Sequence, residues 1–242
     1  NGVVSGGLAF ESGFGSLNAL ALNYAQTPVP ALSGTLDVLN ALTLQNGILT
    51  VAAPNALTLS NAAPSSLSGG SSTSYISGAL RRTMQASVSA DGQSYVFPVG
   101  DSIYRPFTLA NVRTGAVQPT VLGQSFPSGA GTWTPPLTSG AAYNWLAQTL
   151  LGDFLAATFQ VGSAQSPIPA GLRIATAAAQ AGGYGDIGAD DVSPVRSSLP
   201  QAATASASGT YFALGGAVHS VIRFTPRVAR PGQVVTLEGA FL

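Results

Sequence analysis

The chain is poor in the residue types that do chemistry. It has one histidine, His219, no cysteine and no lysine, and nine Arg are set against nine Asp or Glu. General acid–base and nucleophilic catalysis draw mainly on His, Cys, Lys and carboxylates placed within hydrogen-bond reach of one another. His219 has no acid or nucleophile motif near it in the sequence. No Gly-x-Ser-x-Gly elbow, His-Glu-x-x-His pair or phosphate loop occurs. The one carboxylate cluster is Asp186, Asp190 and Asp191, within Gly185-Asp186-Ile187-Gly188-Ala189-Asp190-Asp191. Oxygen ligands this close in a Gly-rich loop suit calcium, although the spacing is not that of an EF-hand. The alternative is a solvated turn in which the Asp side chains bond the local backbone. Calcium is thus the single cofactor candidate, and the expected class is not an enzyme.

Two further sets of side chains have recognition potential. Trp133, Tyr143 and Trp145 lie near Pro135-Pro136 and a Gly-rich turn. As an exposed row they would stack on sugars; as a buried cluster they would be core. Arg105, between Tyr104 and Pro106, is expected to pack and bond backbone carbonyls. The arginines are scattered, with Arg81-Arg82 the only adjacent pair. Phosphate binding needs a basic face, so a nucleic-acid partner is not expected. No run of 18 apolar residues is present, so no membrane span is expected.

Elements that would position these residues read as strands. Hydrophobic residues make up 45% of the 242, enough for a core, while charged residues are only 7% with formal net charge zero. A typical chain is about 25% charged. A neutral, charge-poor surface resists association weakly, which favours packing against copies of the chain or against neighbouring domains. Short runs of Leu, Val, Ile, Thr, Phe and Tyr are broken by Gly, Pro, Asn-Gly and Ser clusters, the all-β pattern. Helical periodicity is nearly absent. The alanine-rich stretches 175–181 and 202–207 read as loops.

The first third carries a repeat. Leu17-Asn18-Ala19-Leu20-Ala21-Leu22 recurs as Leu39-Asn40-Ala41-Leu42-Thr43-Leu44, then as Pro54-Asn55-Ala56-Leu57-Thr58-Leu59, at spacings of 22 and 15 residues. Each unit is a short alternating strand and a turn that cannot bury its apolar face alone. Stacked β-solenoid coils satisfy this; so does an ordinary meander. The run Ser65-Ser66-Leu67-Ser68-Gly69-Gly70-Ser71-Ser72-Thr73-Ser74 reads as a joint. The expected domains are a solenoid-like segment over 1–70, a β-sandwich over 71–217, and strands of an immunoglobulin-like domain or an assembly tail over 218–242.

Particular motifs carry a resemblance. Tyr75-Ile76-Ser77-Gly78-Ala79-Leu80-Arg81-Arg82-Thr83 is followed by Tyr95-Val96-Phe97-Pro98-Val99-Gly100-Asp101 and Tyr104-Arg105-Pro106-Phe107-Thr108-Leu109. With Leu172-Arg173-Ile174-Ala175 and Gly209-Thr210-Tyr211-Phe212-Ala213-Leu214-Gly215, these segments resemble a module of large secreted, adhesin-like Bacteroidota surface proteins that use type IX secretion. The resemblance spans about residues 35–216, departs from the pattern between 116 and 165, and contains no catalytic signature. His219-Ser220-Val221-Ile222-Arg223-Phe224-Thr225-Pro226, then Arg230-Pro231-Gly232-Gln233-Val234-Val235-Thr236-Leu237-Glu238-Gly239, is similar to the opening of a TIG (IPT) immunoglobulin-like domain. These resemblances imply a secreted, extracellular or cell-surface address and a structural role in an adhesin or filament. The partners would be copies of the chain or neighbouring domains, joined through terminal strands. A carbohydrate-binding module with surface glycans as partner is the alternative, and a polysaccharide-active enzyme a third reading. No leader is visible at Asn1, and the apolar run at Gly239-Ala240-Phe241-Leu242 suggests a longer parent chain.

Overall fold

A computed structural model describes residues 15–24, 31–89, 93–127, 131–162, 172–188, 195–196, 209–217, 223–225 and 236–238. The described residues are almost entirely strand, and the only helical element among them is a single 3-10 turn at Pro64–Ser66. The all-β expectation holds. The alternation of large apolar and small polar residues that marked the strands also sets which side of each strand is buried.

The first part is a solenoid-like stack of about three turns. Its strands are β1 (Ser16–Asn23), β2 (Ala31–Leu32), β3 (Leu36–Asn46), β4 (Leu49–Val51), β5 (Leu57–Leu59), β6 (Leu67–Gly69), β7 (Ile76–Gly78) and β8 (Leu80–Thr83). One parallel ladder runs β1-β3-β5-β8, with β6 also on β3, and a second runs β2-β4-β7. Inward columns follow the register. Leu36, Leu57 and Leu80 form one, and Leu49 lies over Ile76 in another; all five are buried.

The sequence repeat corresponds to this stack only in part. Ala19-Leu20-Ala21-Leu22 lies directly on Ala41-Leu42-Thr43-Leu44, the 22-residue spacing. The 15-residue spacing is not a coil. Leu57-Thr58-Leu59 pairs with Leu36-Asp37-Val38, while Leu42-Thr43-Leu44 pairs with Leu67-Ser68-Gly69. Asparagine marks the true period. Asn40 Nδ2 donates to Asn18 Oδ1, and Asn61 Nδ2 donates to the Asn40 carbonyl at 3.0 Å. Stacked amides at successive corners satisfy each other's donors and acceptors, which fixes the register of one coil on the next.

The Ser/Gly run read as a joint is one turn of this stack. Ser71 and Ser74 exchange backbone bonds of 2.8 and 3.0 Å. A Cβ on Gly69, at φ +81°, would lie 2.0 Å from the Leu44 carbonyl oxygen, so only glycine lets this rung close on β3. Both parallel ladders continue past this turn.

Next come β9 (Tyr95–Phe97) and β10 (Val99–Gly100), separated by Pro98. The remaining strands are β11 (Phe107–Thr114), β12 (Thr120–Phe126), β13 (Thr132–Trp133), β14 (Leu137–Leu151), β15 (Phe154–Val161), β16 (Leu172–Ala177), β17 (Gly183–Gly188), β18 (Val195–Arg196) and β19 (Thr210–Ala217). β10 completes the second solenoid ladder beside β7. β9 belongs instead to an antiparallel sheet ordered β18-β15-β11-β9. β8 pairs parallel with β5 on one edge and antiparallel with β12 on the other. The solenoid ladder thereby runs on without a break through β12, β14, β19, β16, β17 and β13.

These sheets meet through aromatic rings. Phe159 of β15 stacks on Phe212 of β19 with centroids 3.9 Å apart and planes within 4°. Phe107 stacks on both Phe97 and Phe159, at 4.7 and 5.1 Å. Gly123 of β12 makes room for them, since a Cβ there would lie 2.3 Å from Phe97 Cδ1. The alanine-rich stretch read as a loop instead supplies Ala175 to Ala177 of β16. Ala175 pairs with Ala213, and both are fully buried beside Leu137 and Tyr184, where larger side chains would not fit. β20 (Arg223–Thr225) and β21 (Thr236–Glu238) pair antiparallel in a two-stranded sheet of their own.

Phe159→Ala should lower the unfolding free energy by about 3–5 kcal/mol, because it removes the ring that joins three others. Urea denaturation followed by fluorescence checks this. A loss under about 1 kcal/mol would mean that the rings do not join the sheets.

Candidate functional site

The most chemically distinctive position is Arg82. The Val38–Leu59 column continues onto Arg82, so a guanidinium stands where the stack would take another apolar side chain. It is 1% exposed and has no carboxylate partner among the described residues. Carbonyls hold it instead. Nη1 donates to Val96 O at 3.0 Å; Nη2 donates to Pro64 O at 3.0 Å and reaches Ala63 O at 3.5 Å and Ser66 Oγ at 3.4 Å. The Tyr95 ring lies 5.1 Å from its Cζ, a cation–π distance. Tyr95 Oη in turn donates to Ala62 O at 2.9 Å and accepts from Gln85 N at 3.0 Å. Burial lowers the Arg82 pKa to about 10, with Tyr95 opposing the shift, so the group stays charged at neutral pH. This constellation ties the corner of one coil to β8 and β9. It has no group poised to react.

Arg105 differs from the expectation. Its Nη1 pairs with Asp101 Oδ2, and its Cζ lies 4.3 Å from the Tyr143 ring centroid. The carbonyl-bonding role expected of Arg105 belongs to Arg82. The reason is local. Asp101 N bonds Ile103 O at 3.3 Å and Arg105 N bonds Val99 O at 2.9 Å, a tight turn that brings the carboxylate under the guanidinium. Burial lowers the Arg105 pKa and raises that of Tyr143, each opposed by the attraction between them.

The three aromatics do not form a flat row. Trp145 is 2% exposed and donates Nε1–H to Arg105 O at 2.9 Å. Tyr143 meets it edge-on, with planes at 89°. Trp133 is half-buried, tilted against Tyr184 at 5.4 Å. It also packs on Gly140, where a Cβ would lie 1.9 Å from Trp133 Cζ2.

Of the calcium candidates, Asp186 lies on β17 with both oxygens engaged. Oδ2 is 2.7 Å from Arg173 Nε, a close charge contact with an angled N–H, and Oδ1 accepts from Gly188 N at 2.8 Å. Asp190, Asp191 and His219 lie outside the described residues. Among the described residues no three His, Cys, Asp or Glu side chains converge as a metal site. Each carboxylate whose side chain is described is occupied: Asp37 by Ser60 Oγ at 2.5 Å, Asp101 by Arg105, Asp153 by Val117 N at 3.0 Å, and Asp186 by Arg173.

No protein family, curated protein or solved structure matches this chain.

Two outcomes follow from the buried polar groups. Arg82→Leu restores an all-apolar column but strips the carbonyls of Val96 and Pro64 of their donor. It should cost at least about 2 kcal/mol, read from urea midpoints; a stabilised variant would contradict the account. Burial also raises the Tyr24, Tyr104 and Tyr184 phenols to about 12. Since unfolded tyrosine titrates near 10, the unfolded state loses these protons first. Stability contributed by these groups is therefore complete below about pH 10 and lost as pH rises toward 12. Phenolate absorbance and urea midpoints from pH 8 to 12 check the direction.

Proposed function

We propose that this chain is a non-catalytic structural module of an extracellular surface protein, adhesin or filament, associating with copies of itself or with neighbouring domains. The observation that carries this reading is the free end of the parallel stack. Among the described residues β1 has a single neighbour, β3, and β2 a single neighbour, β4. Most of β1 is exposed or half-buried, Leu22 being its one buried residue. A parallel strand with one unpaired edge offers a row of backbone donors and acceptors to another strand. Zero net charge adds no long-range repulsion between copies. A contact between unlike ends that does not close into a ring builds a filament.

The reading is also supported by what the polar side chains do. Arg82, Arg105 and the described carboxylates bind structural partners within the fold. The motif segments that resemble Bacteroidota surface proteins have architectural reasons for their residues. Tyr95-Val96-Phe97-Pro98-Val99-Gly100 transfers the chain from the antiparallel sheet to the solenoid ladder, with Pro98, which lacks an N–H, at the crossing. The packing of Trp145 into the core, with Tyr143 set edge-on to it, weighs against the alternative of a carbohydrate-binding module with an aromatic platform. The secreted address and the TIG-like reading of the C-terminal strands rest on the sequence resemblance.

Sedimentation and negative-stain imaging of the purified chain test the proposal. Wild type should associate with rising concentration. Ala19→Lys with Ala21→Lys, both exposed on β1, should weaken association at least tenfold and leave the melting temperature nearly unchanged. A strictly monomeric wild type, or unchanged association in this variant, would overturn the assembly reading.

A further inference from the structure

The outer face of the continuous sheet carries a second arginine that the fold does not use. Adjacent residues in a strand point to opposite faces, so Arg82 turns inward and Arg81 outward. Across the ladders the outward row reads Asp37, Thr58, Arg81, Leu122. Asp37 is taken by Ser60. Arg81 is not matched by any carboxylate among the described residues. Its Nε is nonetheless buried and has no hydrogen-bond partner. The other two buried guanidinium Nε atoms belong to side chains with compensation: Arg173 has Asp186 at 2.7 Å, and Arg82 has carbonyls at its Nη atoms. Arg81 has neither.

Beside Arg81 is a cavity of about 110 Å³, open on one side. It lies where the turn before β5 overhangs the boundary between β8 and β12. Asn55 and Gln124 bring amides to it; Val51, Pro54 and Leu122 supply apolar walls. The turn is held by Asn55 N bonding Ala52 O at 3.0 Å, and the next rung by Leu57 N bonding Ala79 O at 3.1 Å. The walls are therefore parts of the rigid stack.

We propose that this cavity binds a carboxylate. A guanidinium presents Nε–H and one Nη–H as parallel donors, the spacing of two carboxylate oxygens. A buried donor with no partner is costly, and a bound carboxylate removes that cost. The side-chain amides of Asn55 and Gln124 can donate to the remaining lone pairs. The volume equals roughly three to four waters' share of liquid, enough for a carboxylate and its adjoining carbons. The rest of a larger ligand extends into solvent. Two sources share this chemistry, a free small organic acid and a uronic-acid residue of an acidic glycan. This site is independent of the assembly reading above, because it lies away from β1 and β2.

The test is titration of ¹⁵N-labelled protein with sodium acetate, sodium glucuronate, a short galacturonate oligomer and glucose, at constant ionic strength, following the Arg81 Nε–H resonance. Both simple acids should shift it saturably, and glucose should not. A galacturonate oligomer at least tenfold tighter than acetate assigns the glycan source; equal affinity assigns the small acid. Arg81→Gln and Arg81→Lys should each weaken binding at least tenfold, and Gln124→Leu severalfold. If neither acid shifts the resonance saturably, if glucose shifts it equally, or if folded Arg81→Gln binds as well as wild type, the proposal is wrong. The wild-type titration decides the matter even where a variant fails to fold.

Discussion

A guanidinium enclosed by protein has to be surrounded by acceptors, and the placement of Arg82 sets that demand at the centre of this fold. With no carboxylate near it among the described residues, the acceptors are main-chain carbonyls from two separate segments, the corner at Ala63-Pro64 and strand β9 at Val96. Carbonyls cannot move independently of the chain, so satisfying one side chain fixes the spacing between a solenoid corner and the first strand of the antiparallel sheet. Tyr95 reinforces this by covering the guanidinium and bonding Ala62. The same charge ends the apolar column begun by Val38 and Leu59. The next strand in that sheet, β12, runs antiparallel.

Everything downstream inherits that junction. Strand β8 has one parallel and one antiparallel neighbour, so the solenoid and the antiparallel strands share a single hydrogen-bonded sheet. The segment from Tyr95 to Gly100 joins the other two sheets, and the turn closed by Asp101 and Arg105 returns the chain to β11. Trp145, through its bond to Arg105 O, links that turn to β14. The polar side chains best placed to look functional in the sequence are thus largely consumed in joining sheets. Arg81 is the exception, and it is turned outward by the alternation that turns Arg82 inward.

Much of the strand content was readable because period-two alternation is a local property. The stacking of Ala19-Leu20-Ala21-Leu22 on Ala41-Leu42-Thr43-Leu44 was readable for the same reason. The third coil was misread because Leu57-Thr58-Leu59 resembles Leu42-Thr43-Leu44 in composition. The quantity that fixes register is the asparagine at each corner, Asn18, Asn40 and Asn61, whose bonds run between coils. The alanines of β16 were read as loop because alanine has little strand preference of its own; burial against Ala213 overrides it. Of the site residues, the packing of Arg105 was legible but its partners were not, because a turn of five residues decides which acceptor lies beneath it.

The sequence by itself determined the class of structure and narrowed the chemistry. Alternation, turn residues and a scarcity of His, Cys and Lys are written residue by residue and need no partner to be read. Only the tertiary structure decided which of two adjacent arginines is buried, which strand changes neighbours from parallel to antiparallel, and whether three nearby aromatics are displayed or enclosed. Those outcomes depend on contacts between segments distant in sequence, where burial and the need to satisfy every enclosed polar group outweigh local preference.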